Sequence, residues 1–478
     1  MKRCLLIAPL LVAGCNLAPP YHRPATVPIP PSFKEAPGWI VGTPNDTAAR
    51  GEWWRLFDDP VLDSLEAKVV VTNQNVAEAR AAYEAARALV IVQRSALFPT
   101  VTGSVNASHS GHIFPTTSNS NSSGTGGSTT GSGATGTGAT GSNFALDIGA
   151  TWEPDLWGKL GNAVTQARAN AQASAGDLEN ATLSARGELA TDYVELRGID
   201  GQRVLLDATI TDYQKSLTIT INKYNAGTVA HSDVFQAQTS LENAIASRQD
   251  LDRQRAILEH AIAMLAGENP STFSIAATIW NPVVPSIPGV VPATLLERRP
   301  DIAAAERRVA AANANIGIQR AAYFPQVTLS GDAGTSGSRL GQLFSAATSV
   351  WSLGLSGLMT LLDFGARRGQ VLQARAQYEE AVATYRETVL TAFQQVEDNL
   401  AATRILAGVT ASQAAAATAA TRAEAITTNQ YAGGIVDYTE VVVARNAALS
   451  ARQTQIQAVV NQQTAVIALI QAIGGNWG

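Results

Sequence analysis

The side chains that could do chemistry are few and far apart. Five histidines stand at His22, His109, His112, His231 and His260. There is no glycine loop ending in Gly-Lys-Ser/Thr, no Gly-x-Ser-x-Gly and no His-Glu-x-x-His. The chain therefore offers no phosphate cradle, no nucleophile on a strained turn and no zinc-hydrolase helix. His109 and His112 are the nearest pair that could be imagined as ligands. No cysteine accompanies them, and three-residue spacing on an extended chain turns them to opposite faces. They read as loop or rim residues. Gly158 and Gly161 mark a bend between elements, a common use of glycine, and not a nucleotide site. No catalytic, cofactor or metal site is expected, and the chain does not read as an enzyme.

What remains is a modification. Lys2 and Arg3 precede an apolar stretch from Leu5 to Val12, which closes on Val12-Ala13-Gly14-Cys15. Small residues before a cysteine resemble a lipobox, at which the signal is cut and the thiol receives a diacylglyceryl group. Asn16 at the next position resembles lipoproteins sent to the outer membrane. The alternative is an ordinary secretory signal with a chance cysteine. Cleavage removes Cys4, so the mature chain holds one cysteine and no internal disulfide. The following proline-rich stretch, Pro19 to Pro37, should be extended and without a core of its own.

The elements that carry such an anchor follow from composition. Of 478 residues, 46% are hydrophobic but only 6% aromatic, and alanine supplies much of the difference. Alanine favours helices whose backbones approach closely. The net charge of −5 and the absence of Lys/Arg runs exclude nucleic acid as a partner. Apolar runs fall short of the ~18 residues a spanning helix needs, whereas a β-barrel stays open as a reading.

The chain also repeats itself. Gly158 and Gln166-Ala167-Arg168-Ala169 recur at Gly365 and Gln373-Ala374-Arg375-Ala376, an offset of 207 that still holds at Tyr224/Tyr431 and Ala237/Ala444. Upstream, Phe98-Pro99 matches Phe324-Pro325 at an offset of 226. The 19 extra residues of the first copy fall in the Ser/Thr/Gly/Asn run from Ser118 to Ser142, which cannot bury a core and reads as a surface loop.

Each copy reads as helix, strand, loop, strand, long helix, tight turn, helix. Alternating apolar and polar residues predict strands at about 99–109, 143–154, 325–335 and 349–362. Ten-residue, two-faced strands suit a membrane barrel wall better than a soluble sandwich. Four strands cannot close a barrel, and open edges do not stand in lipid, so the barrel must be shared between chains. Unbroken helical patterns from about Lys159 to Tyr224 and Ala366 to Tyr431 give helices of roughly 100 Å. Shorter flanking helices are expected at about Leu65–Leu97 and Asp233–Ala266. The fold class is mostly α with membrane β: a duplicated unit giving four strands and long coiled-coil-like helices per chain. Residues 1–14 read as signal, 15–52 as the lipidated extended segment and 53–266 as the first repeat. An irregular connection (267–299), the second repeat (300–472) and a short tail (473–478) complete the chain.

These features resemble the outer membrane factor family of TolC-type efflux ducts, in particular its NodT-like lipoproteins. The residues that carry the resemblance are Trp53-Trp54-Arg55-Leu56-Phe57-Asp58-Asp59-Pro60, Leu295-Leu296-Glu297-Arg298-Arg299-Pro300-Asp301-Ile302, and the hairpins Tyr224-Asn225-Ala226-Gly227 and Tyr431-Ala432-Gly433-Gly434. The resemblance implies a homotrimer with a 12-stranded barrel in outer-membrane lipid and a 12-helix periplasmic tunnel. It also implies docking to a periplasmic adaptor protein and an inner-membrane pump. In such ducts the periplasmic end is closed by Asp, Tyr and Arg contacts. Asp233 and Tyr431 fall on matching positions, but Val436 stands where arginine is expected. Asp437, next to it, could form a ring of carboxylates in a trimer that favours cations. Plainer readings are a capping box for Asp233-Val234-Phe235-Gln236 and a solvated turn for Asp437. The expected function is a passive exit duct for small molecules. A structural or adhesive outer-membrane surface lipoprotein is the alternative, supported only by the Ser/Thr/Gly loop.

Overall fold

A computed structural model describes residues 16–25, 34, 51–111, 141–285 and 299–475. Eleven regular elements follow one another among these residues: α1 Pro60–Thr72, α2 Gln74–Ser95, β1 Thr100–Ser110, β2 Gly141–Trp152, α3 Lys159–Asn225, α4 His231–Leu265, α5 Pro300–Ala321, β3 Gln326–Gly337, β4 Ser349–Leu358, α6 Ala366–Ala432 and α7 Tyr438–Ala472. The duplication shows in the lengths: α3 and α6 each have 67 residues, α4 and α7 each 35. The described residues fall into two compact units, one from 16–21, 88–111, 141–168 and 311–377, the other from 22–25, 34, 51–87, 169–285, 299–310 and 378–475. Neither unit is a repeat. Each draws segments from both copies.

The first unit holds one antiparallel sheet in the order β1-β2-β3-β4. Register keeps the two faces chemically distinct, because side chains alternate with period two. Ile148 lies opposite Gly103 and Ala333, and Leu329 opposite Leu355, all on one apolar face. Ser104, Asp147, Gly334 and Val350 run across the other, largely polar face. The apolar side chains are not packed within the chain: Val105 is 78% exposed, Trp351 80% and Leu355 74%. Where strands meet helices, indole N–H groups are satisfied by carbonyls, Trp152 donating to Leu97 (3.0 Å) and Trp157 to Pro325 (2.8 Å). Such an aromatic rim suits an interface between lipid and water. The fourth strand ends at Leu358, four residues short of the expected 362. β3 begins at Gln326, the partner of Leu358, so the chain beyond has no strand to pair with; Asp363 then accepts from the backbone of Gly365 (3.1 Å) and Arg367 (3.2 Å) at the start of α6.

The second unit contains the apolar core. Trp53 and Trp54 open a single 3₁₀ turn, and both are buried. Asp59 then caps α1, its Oδ1 accepting from Val61 (2.9 Å), while its Oδ2 takes the Tyr193 hydroxyl at 2.7 Å. Arg186 lies 4.4 Å above the Trp54 ring. Burial beside this pair pushes the Glu66 carboxyl well above its ordinary value, and the Arg186 guanidinium opposes that rise. The one helix expected over Leu65–Leu97 is two. Asn73 breaks it, its side chain accepting from the amides of Asn75 (3.0 Å) and Val76 (3.1 Å) and donating to Leu265 O (2.8 Å). Asparagine competes with the helix in this way because its amide can replace backbone partners. Of the second motif, Arg299 pairs with Asp301 (2.6 Å) and donates to Gln395 (2.8 Å) and to Ala472 O (3.0 Å), fastening α5, α6 and α7.

A buried ionic knot holds α3 to α4. Asp200, 2% exposed, accepts from Arg197 (3.2 Å), Arg203 (3.3 Å) and Arg255 (2.8 Å). Arg197 continues to Ala276 O and Arg255 to Ile275 O, so the irregular connection is tied to the same point. Removing one partner from a buried ion network leaves uncompensated charge, a cost of about 3–5 kcal/mol. Asp200→Ala should accordingly lower the melting temperature by several degrees, whereas Lys215→Ala, which touches only the exposed pair with Asp212, should leave it unchanged in the same scan.

Candidate functional site

Both helical hairpins are built by the same backbone device. At the end of α3, Gly227 takes φ +74° and the amides of Gly227 and Thr228 return to Tyr224 O and Lys223 O at 2.8 and 3.0 Å. At the end of α6, Gly434 takes φ +72° and the amides of Gly434 and Ile435 return to Tyr431 O and Gln430 O at 3.1 and 2.9 Å. This is the left-handed stop at which glycine is preferred. It sets where the next helix begins. α4 starts at His231 with Ala230 as its cap, so Asp233 lies inside the first turn and forms no capping box. Asp437 occupies the equivalent cap position of α7, but its side chain makes no capping hydrogen bond and is exposed to solvent.

The hairpins pack on each other around Tyr431. Its ring lies 5.4 Å from that of Tyr438, which is buried with Ala237 and Val441. Its hydroxyl is buried and makes no hydrogen bond of good geometry. Burial raises its pKa above the ordinary phenol value; the nearby Thr220 hydroxyl opposes the rise, and the Asp233 carboxylate adds to it. Asp233 acts on Tyr431 through its charge alone, with no hydrogen bond between the two side chains. Asp437 stays outside the cluster, and its neighbour Tyr438 enters instead. Val436 is half-buried and supplies no charge.

The cation comes from elsewhere. Lys223, in the last turn of α3, places its Nζ 3.8 Å from the centre of the Tyr431 ring and 3.4 Å from Tyr431 O. The hairpin sequences conceal it, because Lys223 belongs to the other hairpin and its counterpart at the repeat offset is Gln430. Tyr224, the counterpart of Tyr431, stacks instead on His231 at 4.6 Å, and His231 meets Phe235 at 4.5 Å. His109, on the rim, lies 3.1 Å from the Ser142 hydroxyl. His112 is outside the described residues.

Cys15, the expected lipid-attachment residue, also lies outside the described residues, but the segment just after it is held at Asn16, Leu17 and Pro19. Asn16 accepts from Asn162 (3.0 Å), Leu17 O from Arg320 (3.3 Å) and Pro19 O from Asn313 (2.9 Å). Gly317 makes room for this strap, since a Cβ there would come within 2.6 Å of Ala18.

Long paired helices, two glycine-stopped hairpins and a small two-faced sheet together define an outer-membrane duct protein with no spanning helix among its described residues. The chain belongs to the outer membrane efflux protein family, whose model matches residues 67–268 and 291–475. It is 28% identical over 481 residues to the solvent efflux pump outer membrane protein SrpC of Pseudomonas putida, covering 100% of this chain and 98% of that protein. It is 27% identical to outer membrane protein OprJ of Pseudomonas aeruginosa, covering 99% and 95%. Among solved structures, the outer-membrane channel OprN aligns with TM-score 0.82 at 27% identity, covering 97% of this chain and 100% of that one. The Campylobacter jejuni CmeC outer membrane channel aligns with TM-score 0.85 at 22% identity, covering 96% and 95%, and shares the fold.

A cation over an aromatic face contributes about 0.5–1 kcal/mol when partly exposed. Lys223→Met should therefore lower amide-exchange protection across residues 226–230 and 432–437 by roughly two- to fivefold. Tyr431→Phe keeps the ring and loses only the poorly bonded hydroxyl, so protection should persist in that variant.

Proposed function

We propose that three copies close their sheets into one 12-stranded barrel in the outer membrane and their long helices into a 12-helix tunnel. The assembly is a passive exit duct for small molecules, supplied by a periplasmic adaptor and an inner-membrane pump. The observation that carries this reading is the sheet itself: two open edges and one exposed apolar face, a combination that lipid tolerates only in a closed barrel. Relatives named for solvent, toluene and antibiotic efflux support small organic cargo.

In this reading the hairpins form the periplasmic mouth, with Asp233, Tyr431 and Lys223 tying it and exposed Asp437 lining it. Cys15 carries the lipid, and the strap from Asn16 holds that anchor beside the start of α3. The Ser118–Ser142 loop, of which 118–140 lie outside the described residues, faces the exterior as a surface loop.

Purified protein should give discrete conductance steps in planar bilayers. A stable trimer that never conducts would favour the surface-lipoprotein alternative. Asp437→Ala should lower the cation-to-anion permeability ratio of the open duct; an unchanged ratio removes the carboxylate ring from the mechanism.

Anchoring is tested separately. Cys15→Ser should abolish incorporation of radioactive fatty acid while much of the protein stays in the membrane through its barrel, since one acyl anchor alone binds weakly. Equal labelling of the two proteins would place the lipid elsewhere or nowhere.

A further inference from the structure

Several guanidinium groups of the second unit are closed onto carboxylates. Arg299 meets Asp301 at 2.6 Å, Arg308 meets Asp177 at 2.6 Å and Arg255 meets Asp200 at 2.8 Å. Arg186 on α3 is different. Its Nε stands 3.9 Å from Glu66 Oε2, beyond hydrogen-bond reach, and has no hydrogen-bond partner. The guanidinium carbon lies instead 4.4 Å over the Trp54 ring.

Glu66 is the more unusual member of the pair. Its side chain is fully buried, and neither carboxyl oxygen has a hydrogen-bond partner. Leu62, Leu65 and Val69 of the same helix belong to the apolar core. A carboxylate taken out of water without hydrogen bonds is so costly that the group holds a proton instead. The charged groups that face Glu66 are Arg186 from α3 and Asp63 from its own helix. Arg186 in turn faces Glu179 on α3 and Glu52 beside the 3₁₀ turn. Burial raises the Glu66 pKa most; Arg186 opposes the rise and Asp63 adds to it. Asp63 cannot relieve the site, because its own Oδ1 is buried and unpartnered.

We propose that the proton on Glu66 controls where Arg186 sits, so that α1 and the Trp53-Trp54 turn are latched to α3 in a pH-dependent way. With Glu66 neutral, the guanidinium rests on the Trp54 ring and leaves the carboxyl unpaired, as in the structure. With Glu66 ionised, its proton goes to solvent and the guanidinium moves toward the carboxylate. A shift of about 1 Å closes the gap to the 2.7–2.9 Å of a charge-assisted pair and changes the seat on the ring. Only one O–H bond breaks, and no other group need exchange a proton.

The direction of the effect follows from linkage. An unfolded chain releases this proton at an ordinary carboxyl value of about 4.3. The folded chain holds it to higher pH. The contribution of the protonated group to stability is therefore complete below the unfolded value and is lost as pH rises through the folded one. The latch is firmest in acid. It does not depend on the duct reading.

The test uses the full-length parent, Glu66→Gln and Arg186→Met, each paired with a Trp54→Phe counterpart whose emission is subtracted. Only Trp54 is then read. Between about pH 5 and about pH 9 the parent should show one step in Trp54 emission. Glu66→Gln keeps the shape of the side chain without titrating, and should lose the step. Arg186→Met has no guanidinium to move, and should lose it too. Over the same range the melting temperature of Glu66→Gln should rise relative to the parent. Asp192, which burial and its neighbours Glu188 and Glu195 raise to about 6, is common to both chains and cancels.

A parent without the step, or an equal step in Glu66→Gln, would overturn the latch. So would a step that persists in Arg186→Met, since Glu66 would then titrate without moving the guanidinium. A melting-temperature difference that stays flat with pH overturns it as well. Should Glu66→Gln not fold, the Arg186→Met titration decides alone, loss of the step supporting the latch and its persistence removing it.

Discussion

An unpaired strand edge in hydrocarbon is the constraint on which the rest of this structure depends. Each backbone N–H or C=O without a partner there costs several kcal/mol. The sheet presents such edges on β1 and β4 and turns large apolar side chains outward on one face. Neither feature is stable in a lone chain, in water or in lipid. Both are resolved at once when further copies supply strands and lipid covers the apolar face. The polar face, with Ser104, Asp147 and Ser352, then lines an interior that water can fill.

The helical part answers a different requirement. Helices of 67 residues have far more surface than one chain can bury, so local fasteners are concentrated at a few places. Asp200 is one, with three guanidinium groups on a single carboxylate. Arg299 is another, reaching from the start of α5 to the last carbonyls of α7. The Trp53-Trp54 turn is the third. The two sequence motifs that carried the family resemblance coincide with two of these fasteners. Trp53, Trp54 and Asp59 of the first motif, and Arg299 and Asp301 of the second, are explained by packing and hydrogen bonding within the chain.

This division also explains what could be read from the sequence. Strand positions followed from strict alternation, and helix lengths from proline-free stretches between glycine stops; both signals are local and periodic. The break at Asn73 was hidden because a single asparagine in a helical pattern looks like a surface residue. Its role depends on Leu265 O, nearly two hundred residues away. Asp233 was misplaced as a cap for a related reason. The helix start is set by the turn at Gly227, and that turn puts Ala230, not a polar side chain, at the cap. Lys223 was not legible because the resemblance put the cation at position 436, in the same hairpin as Tyr431, whereas the ring is reached from the opposite hairpin.

The cation at this cluster is Lys223, not an arginine at position 436, and that bears on how firmly the proposed mouth is held. Arginine presents a planar fork that can bind a carboxylate at two points, and its direction is fixed by that geometry. Lysine is a point charge on a flexible stem, and here it is shared between a ring face and a carbonyl. Neither acceptor is ionised, so the contact gains less than a charge-assisted pair with a carboxylate. Asp233 is close enough to raise the phenol of Tyr431 but is not joined to it by a hydrogen bond. If the proposed mouth is tied here, no buried ion pair among the described residues of this cluster has to break when it opens. On that reading the closed and open states differ by less free energy than with a buried ion pair, and a partner with a modest preference for the open state would shift the population.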